Sequence, residues 1–303
     1  FDDQILTTQF ANWVSPDALQ LTPSDRGPGQ QLKSVEIRDY RLSRGEDEDL
    51  QKESVYRATI VPSGQRIVVE SLQVPGGGDP EQWRSLTTTP EQQTKLAGSI
   101  RGLISLFPDD VRRKDKQIAS ALKNPPVTSA EPVLEALSQY GFYLTGFEDG
   151  RWIFESEHGD VAVRTDGGVI MTISIGKVGG ANSRRKGKLN HFVMIHAGID
   201  FDALQEPIRP ENLPDDESAE NKEFRRRYEA WQNSVKTAQL RAAEINAIHG
   251  DWIYLISEEI IDMLRPQFPL PAIQPSKEID KSNETDSEED EDAAQASDVT
   301  TDD

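Results

Sequence analysis

The 303-residue chain contains no cysteine. That excludes disulfides, zinc ribbons and thiol catalysis, and it suits a reducing cytosol as well as a bacterial envelope protein without bridges. Long apolar runs are missing too: no stretch approaches the roughly 18–20 residues that a membrane span requires. The chain starts at Phe1 with neither an initiator Met nor a signal sequence, so a fragment or processed form is expected. Apolar residues make up 35% and charged residues 28%, with a mean hydropathy of −0.62. Such a composition is too polar for one tight core throughout, and compact modules joined by solvated segments are expected. Positive charge is scarce. Lys and Arg number 33 against 53 Asp and Glu, a net charge of −20, which argues against non-specific nucleic-acid binding. Half of that excess lies in residues 276–303, where twelve Asp/Glu face two Lys, and this segment reads as a disordered, solubilising tail.

What the sequence does contain is clearest at 140–177, which reads as four short strands separated by three tight turns. Val169, Met171, Ile173 and Ile175 alternate with Thr172 and Ser174, a period of two that places the apolar set on one face. Glu148-Asp149-Gly150, Glu157-His158-Gly159-Asp160 and Asp166-Gly167-Gly168 put Gly where a reversal needs positive φ. The preceding segment 132–140 has Val133, Leu134 and Leu137 on one side and is the nearest helix to cover that face.

Upstream, residues 1–25 read as a strand or short helix completing something absent, and 34–42, 54–61 and 65–74 read as strands. A short strand at 83–86 precedes a helix opened by Thr89-Pro90-Glu91, with Leu96, Ile100, Leu103, Ile104 and Phe107 as its stripe. Downstream, 178–188 reads as a flexible basic loop, 189–197 as a strand and 215–249 as a long charged helix. Residues 251–257 return as a strand, and Ser257-Glu258-Glu259 starts a last helix ending at Leu264. Because one amphipathic helix cannot bury its own stripe, 189–197 and 252–256 should be sheet neighbours with the long helix as an excursion between them. The expected class is α+β: antiparallel β-meander sheets packed with helices. Three parts are expected: an N-terminal module 1–125, a central module 126–266, and a Pro-rich then acidic tail 267–303.

No catalytic constellation emerges. Gly187-Lys188 is followed by Leu189, and Asn182 stands where a phosphate loop needs its first Gly. Gly76-Gly77-Gly78 lacks the context of a dinucleotide fold. His191 and His196 sit five apart on a strand and point to opposite faces, and His249 lies at a helix C-terminus, where an imidazolium would complement the dipole. Acidic residues are plentiful, but no pair stands out, so no catalytic residue, cofactor or metal ligand is assigned. The candidate partner-binding residues are Arg184, Arg185, Lys186 and Lys188 of the basic loop, and Phe224, Tyr228 and Trp231 of the long helix's stripe. Arg112-Arg113-Lys114 reads as a helix end or surface run.

The order of parts carries a resemblance. Trp83-Arg84-Ser85-Leu86, Val111-Arg112-Arg113-Lys114, Tyr140-Gly141-Phe142, Glu157-His158-Gly159-Asp160-Val161-Ala162-Val163, Asp166-Gly167-Gly168-Val169 and Ile175-Gly176 come in turn. They are followed by the strand 191–195, the long helix and His249-Gly250-Asp251-Trp252-Ile253-Tyr254. Over roughly 40–266 the chain resembles planctomycete-type members of the bacterial family known as domain of unknown function 4340. The resemblance implies an α+β domain, often repeated, held outside the cytoplasmic membrane by an N-terminal transmembrane helix that this chain lacks. Some relatives accompany gliding-motility-type ABC transporter auxiliary components, and the family has no catalytic residues to carry over. The expectation is therefore a non-enzymatic, extracytoplasmic accessory or scaffold domain of a membrane-associated, transporter-linked complex. The alternative is a small-ligand or carbohydrate-binding module of the bacterial envelope, with an aromatic such as Trp152 or Trp252 lining its groove. A hydrolase would need a pocket with two convergent carboxylates.

Overall fold

The computed structural model describes residues 31–44, 50–63, 66–76, 79–104, 106, 108–116, 118, 122, 131–146, 152–181, 189–209 and 218–270. Within these the chain forms eleven strands and four helices of α+β class. In order they are β1 (Leu32–Arg44), β2 (Leu50–Ser63), β3 (Arg66–Gly76), β4 (Asp79–Ser85), α1 (Pro90–Ile104), β5 (Asp110–Arg113) and α2 (Glu131–Ser138). Then follow β6 (Phe142–Gly146), β7 (Trp152–Ser156), β8 (Asp160–Thr165), β9 (Val169–Ala181), β10 (Leu189–Ile199), α3 (Ala219–His249), β11 (Trp252–Ser257) and α4 (Glu258–Leu264).

Nine strands build one antiparallel sheet in the order β4-β3-β2-β1-β8-β9-β10-β11-β5, and β6 and β7 pair only with each other. Two meanders, β1–β4 and β8–β11, are thus joined where β1 lies beside β8, with Val35 opposite Val163 and Ile37 opposite Val161. Strands from either side of residue 126 share this sheet. The expected neighbours β10 and β11 pair, His191 opposite Ile256 and Val193 opposite Tyr254, with α3 between them in sequence.

Alternation decides the faces. One face carries Val35, Ile37, Ala58, Ile60, Leu72, Val161, Val163, Ile173, Ile175, Val193, Ile195 and Ile256, all buried. It packs against Leu96, Ile100 and Leu103 of α1 and Ile261 and Leu264 of α4. A reciprocal capping box starts α1: Gln92 N donates to Thr89 Oγ1 at 3.2 Å, and Thr89 N donates to Gln92 Oε1 at 3.0 Å. Helix α3 covers the end of the same face, setting Ala238 and Ala242 on Val169 and Ala197. There Asn246 accepts from Ala197 N and donates to its carbonyl, both at 2.8 Å, and so completes the β10 edge beyond β11. Ser218, whose side chain accepts from Asn221 N, caps α3.

On the opposite face Phe192, Met194, Ile253 and Leu255 form a second core with Ile118, Leu137 of α2 and Phe142 of β6. Helix α2 therefore covers β10, β11 and the β6–β7 hairpin, whereas the apolar side of β8–β9 lies under α1 and α4. The four strands expected at 140–177 are present but divide between two sheets, and the turn expected at 148–150 lies outside the described residues. Arg112 and Arg113, read with Lys114 as a helix end or surface run, belong to the edge strand β5: Arg112 lies 5.3 Å over the Phe192 ring, and Lys114 is buried with Nζ donating to the Gly250 carbonyl at 2.9 Å. Residues 267–270, placed in the tail by the sequence, carry Phe268 and Leu270, which pack against the main core. Among the described residues no helix is long and apolar enough to cross a membrane.

Candidate functional site

The densest set of buried polar groups lies where β1, β2 and the turn between β7 and β8 meet. The β1–β2 register shifts between Asp39 and Tyr40: Asp39 opposes Tyr56 and Tyr40 opposes Ser54, which leaves Val55 as the extra residue. Val55 packs against the same main core that holds Tyr56. A bulge of this kind re-aims the side chains beyond it. Without it Arg57 and the even-numbered Ser54 and Lys52 would point to opposite faces. With it, all three line one cleft with Arg38 and Tyr40.

The turn forms the floor. Gly159 has φ +81°, and an added Cβ would overlap the Arg38 carbonyl oxygen. Ser156 Oγ donates to the Gly159 carbonyl at 2.6 Å, Leu42 N to the Glu157 carbonyl at 2.9 Å, and His158 N to the Ile175 carbonyl at 2.9 Å. The turn is thereby laced to both β1 and β9. It presents Asp160, 8% exposed, whose Oδ2 accepts from Tyr40 Oη at 3.1 Å and whose Oδ1 lies 3.2 Å from Arg38 Nε. Burial raises the Asp160 carboxyl above the usual carboxylate range against the opposing pull of Arg38. Burial and the Asp160 charge raise the Tyr40 phenol, which stays protonated and also accepts from Ser156 N at 3.3 Å.

The cleft has a volume of about 590 Å³. Across it Lys52 Nζ lies 2.7 Å from Glu155 Oε1 and 4.1 Å above the Tyr40 ring, linking β2 to β7. Trp83 of β4 forms the far wall with the Arg57 guanidinium 3.9 Å over its ring. Among the described residues Arg57 Nε is buried without a hydrogen-bond partner. Ile153 and Phe154 close the hairpin side.

Behind the cleft, Asp39 takes Arg265 Nη1 at 2.8 Å and Gln267 Nε2 at 3.1 Å. Arg265 Nη1 also donates to the His158 carbonyl at 2.6 Å, and Tyr56 Oη to the Pro266 carbonyl at 3.0 Å. Burial outweighs Arg265 and raises the Asp39 carboxyl. The His158 ring stands edge-on to His191 at 5.1 Å; burial first, then the His191 charge, lowers the His158 imidazole to about 4. Burial also lowers His191, whose Nδ1 lies 3.1 Å from the Gly176 carbonyl.

The sequence-derived candidates lie elsewhere. Arg184, Arg185, Lys186 and Lys188 fall outside the described residues. Phe224, Tyr228 and Trp231 stack along α3 with ring centres 5.9 and 5.2 Å apart, each half-buried, and Trp231 Nε1 donates to the Leu204 carbonyl at 3.0 Å. None of the three lines the cleft. Nor does Trp252, which packs against the main core. The side chain of Trp152 is outside the described set, and the tryptophan in the cleft wall is Trp83. His249 is buried, and that burial lowers its imidazole to about 4, so it does not stand as an imidazolium at the end of α3. Among the described residues no three His, Asp or Glu are grouped to hold a metal ion.

Neither a family model nor a curated protein nor a solved structure matches the chain.

Proposed function

We propose that this chain is a non-enzymatic interaction domain, an extracytoplasmic accessory or scaffold in a membrane-associated, transporter-linked complex. The observation that carries the reading is α3. Of its 31 residues only Asn221, Ala238, Ala242 and His249 are buried. At ~1.5 Å per residue it is a rod of about 46 Å, most of whose circumference faces outward. A long helix of low apolar content that is seated on a sheet by Ala238, Ala242, Ile245 and Asn246 offers a lateral contact surface beyond what the fold needs. The resemblance to domain of unknown function 4340 supports the setting. The test is purification of the native full-length protein from solubilised membranes with partners identified by mass spectrometry. Transporter subunits at near-stoichiometric yield are expected, and recovery of the protein alone, or its fractionation with the cytosol, would end this reading.

A second reading, a small-ligand-binding module of the bacterial envelope, is favoured by the cleft. It has an aromatic wall, a pair of tied rims and a volume of about 590 Å³, within the roughly 300–1,000 Å³ of small-molecule sites. Its carboxylates are each engaged by a cation, Glu155 by Lys52, Asp160 by Arg38 and Asp39 by Arg265. That arrangement suits recognition better than acid–base chemistry.

A further inference from the structure

We infer that the cleft binds the carboxylate of a small organic acid, with Arg57 as the anion-binding group and Trp83, Tyr40 and Phe154 receiving a sugar- or ring-sized body; the inference rests on the ligand-binding reading.

The cations around the cleft are not evenly paired. Arg57 stands directly opposite Arg38 in the β1–β2 ladder, and like charges in opposed positions repel. Arg38 is compensated: its Nε lies 3.2 Å from Asp160 and 3.4 Å from Glu36. Lys52 is compensated by Glu155. Arg57 rests on the Trp83 face, and among the described residues no carboxylate lies in ion-pair range of it and its Nε has no acceptor. Among the described residues the cleft therefore holds one guanidinium without a carboxylate of its own, with a donor in place for an incoming oxygen.

A guanidinium recognises carboxylate and phosphate through the same fork of N–H groups. Electrostatics separates the two. Asp39, Glu155 and Asp160 already line the site, in a chain of net charge −20, so a doubly charged ligand meets more repulsion there than a singly charged one. The wall sets the rest of the ligand. The indole that carries Arg57, the phenol that carries Lys52 and the Phe154 side chain make the wall apolar beside the cation, which suits a ligand with a sugar- or ring-sized body, and stacking against the indole keeps the guanidinium plane fixed.

The experiment is a titration of the chain with D-glucuronate, benzoate, glucose and inorganic phosphate. Tryptophan fluorescence is read in the wild type and Trp83→Phe, and melting temperature in parallel. Saturable quenching by glucuronate or benzoate is expected, absent in Trp83→Phe, with glucose and phosphate weaker by about tenfold or more; the two acids distinguish a sugar from an aromatic body. Arg57→Gln should weaken the acid by about tenfold. The ¹⁵Nε–H resonance of Arg57 in the wild type should move with the acid, a readout that needs no folded variant. Glucose binding as tightly as glucuronate, or an unmoved Arg57 resonance, overturns the anion assignment and leaves the ligand-binding reading standing. Phosphate binding as tightly as the acids overturns the choice of carboxylate. No saturable response to any probe overturns both.

Discussion

His249 should make the domain lose stability between about pH 7 and pH 5. Its ring is 2% exposed at the end of α3, Nδ1 lies 2.8 Å from Tyr254 Oη, and Nε2 is buried without a hydrogen-bond partner among the described residues. Burial chiefly, and the Lys114 charge secondarily, lower its pKa to about 4 from an ordinary 6.5. Between those values the unfolded chain binds a proton that the folded chain refuses, so stability falls as pH falls. The contribution is complete above pH 6.5 and gone below about 4. Acidification from pH 7 to 5 removes about 2 kcal/mol from this residue alone. His158 and His191, also lowered, act in the same direction. Asp39, Glu157 and Asp160 are raised and act oppositely, because their folded forms take up protons first. The whole-protein curve mixes these effects, and the difference between wild type and His249→Phe isolates one of them. Urea unfolding followed by circular dichroism should show the wild type losing about 2 kcal/mol more than the variant over that interval. Equal losses in the two proteins would refute a neutral, proton-refusing His249, as would a His249 Cε1–H resonance that titrates near its ordinary value in the folded state.

Three further perturbations follow from local geometry. Gly159→Ala combines a positive φ with overlap on the Arg38 carbonyl, and it should cost at least about 2 kcal/mol in urea unfolding. Arg265→Met strands the buried Asp39 carboxylate and should cost about 3–5 kcal/mol at neutral pH, most of it recovered by adding Asp39→Leu in a double-mutant cycle. Asn246→Ala leaves Ala197 N and O without their partners; about 1–3 kcal/mol of lost stability and faster exchange of the Ala197 amide are expected.

The elements with long, regular patterns were legible in the sequence. Val35-Glu36-Ile37-Arg38 alternates, Thr89-Pro90 opens α1, and the spacing of Ala238, Ala242 and Ile245 marks one face of α3. Each of these signals is local, either a cap at a helix start or a period that repeats over several turns or pleats. Short or non-local features were not legible. Asp110–Arg113 has a single apolar residue in four positions, too few to show a period, and becomes a strand only because β11 offers an edge. The β1–β8 pairing joins residues more than 120 positions apart, such as Val35 and Val163, and no pattern in either strand names its partner. The cleft was hidden for a related reason. It needs the extra residue Val55 to turn Lys52 and Ser54 onto the Arg57 face. A valine there reads as one more β-branched strand residue, and the bulge it makes has no side-chain signature. Trp83 then arrives from β4 and Glu155 from β7, neither of them close to the bulge in sequence.

The ion pairs around the bulge differ in exposure, and that difference predicts how the cleft moves. Asp39 and Arg265 are sealed, 2% and 10% exposed, whereas Lys52 and Glu155 are 43% and 19% exposed. A pair open to water contributes at most about 1 kcal/mol and is screened by salt, while a sealed pair is screened far less. The back wall should therefore hold while the rim loosens. The rim is carried by β6 and β7, which pair only with each other, and an isolated two-stranded hairpin is marginal without packing. What holds this one is Phe142, Leu144 and Phe154 on the second core, the laced turn at Glu157, and the Lys52 bridge. Raising salt from about 0.05 to 0.5 M removes only the last of these. Amide exchange in Phe142–Gly146 and Trp152–Ser156 should then accelerate several-fold, while that of β8 and β9 stays unchanged. Lys52→Met should show the fast rate at both salt concentrations. Uniform acceleration of all four strands would mean that the hairpin and the sheet open together, and the cleft would then be a fixed cavity with no movable rim.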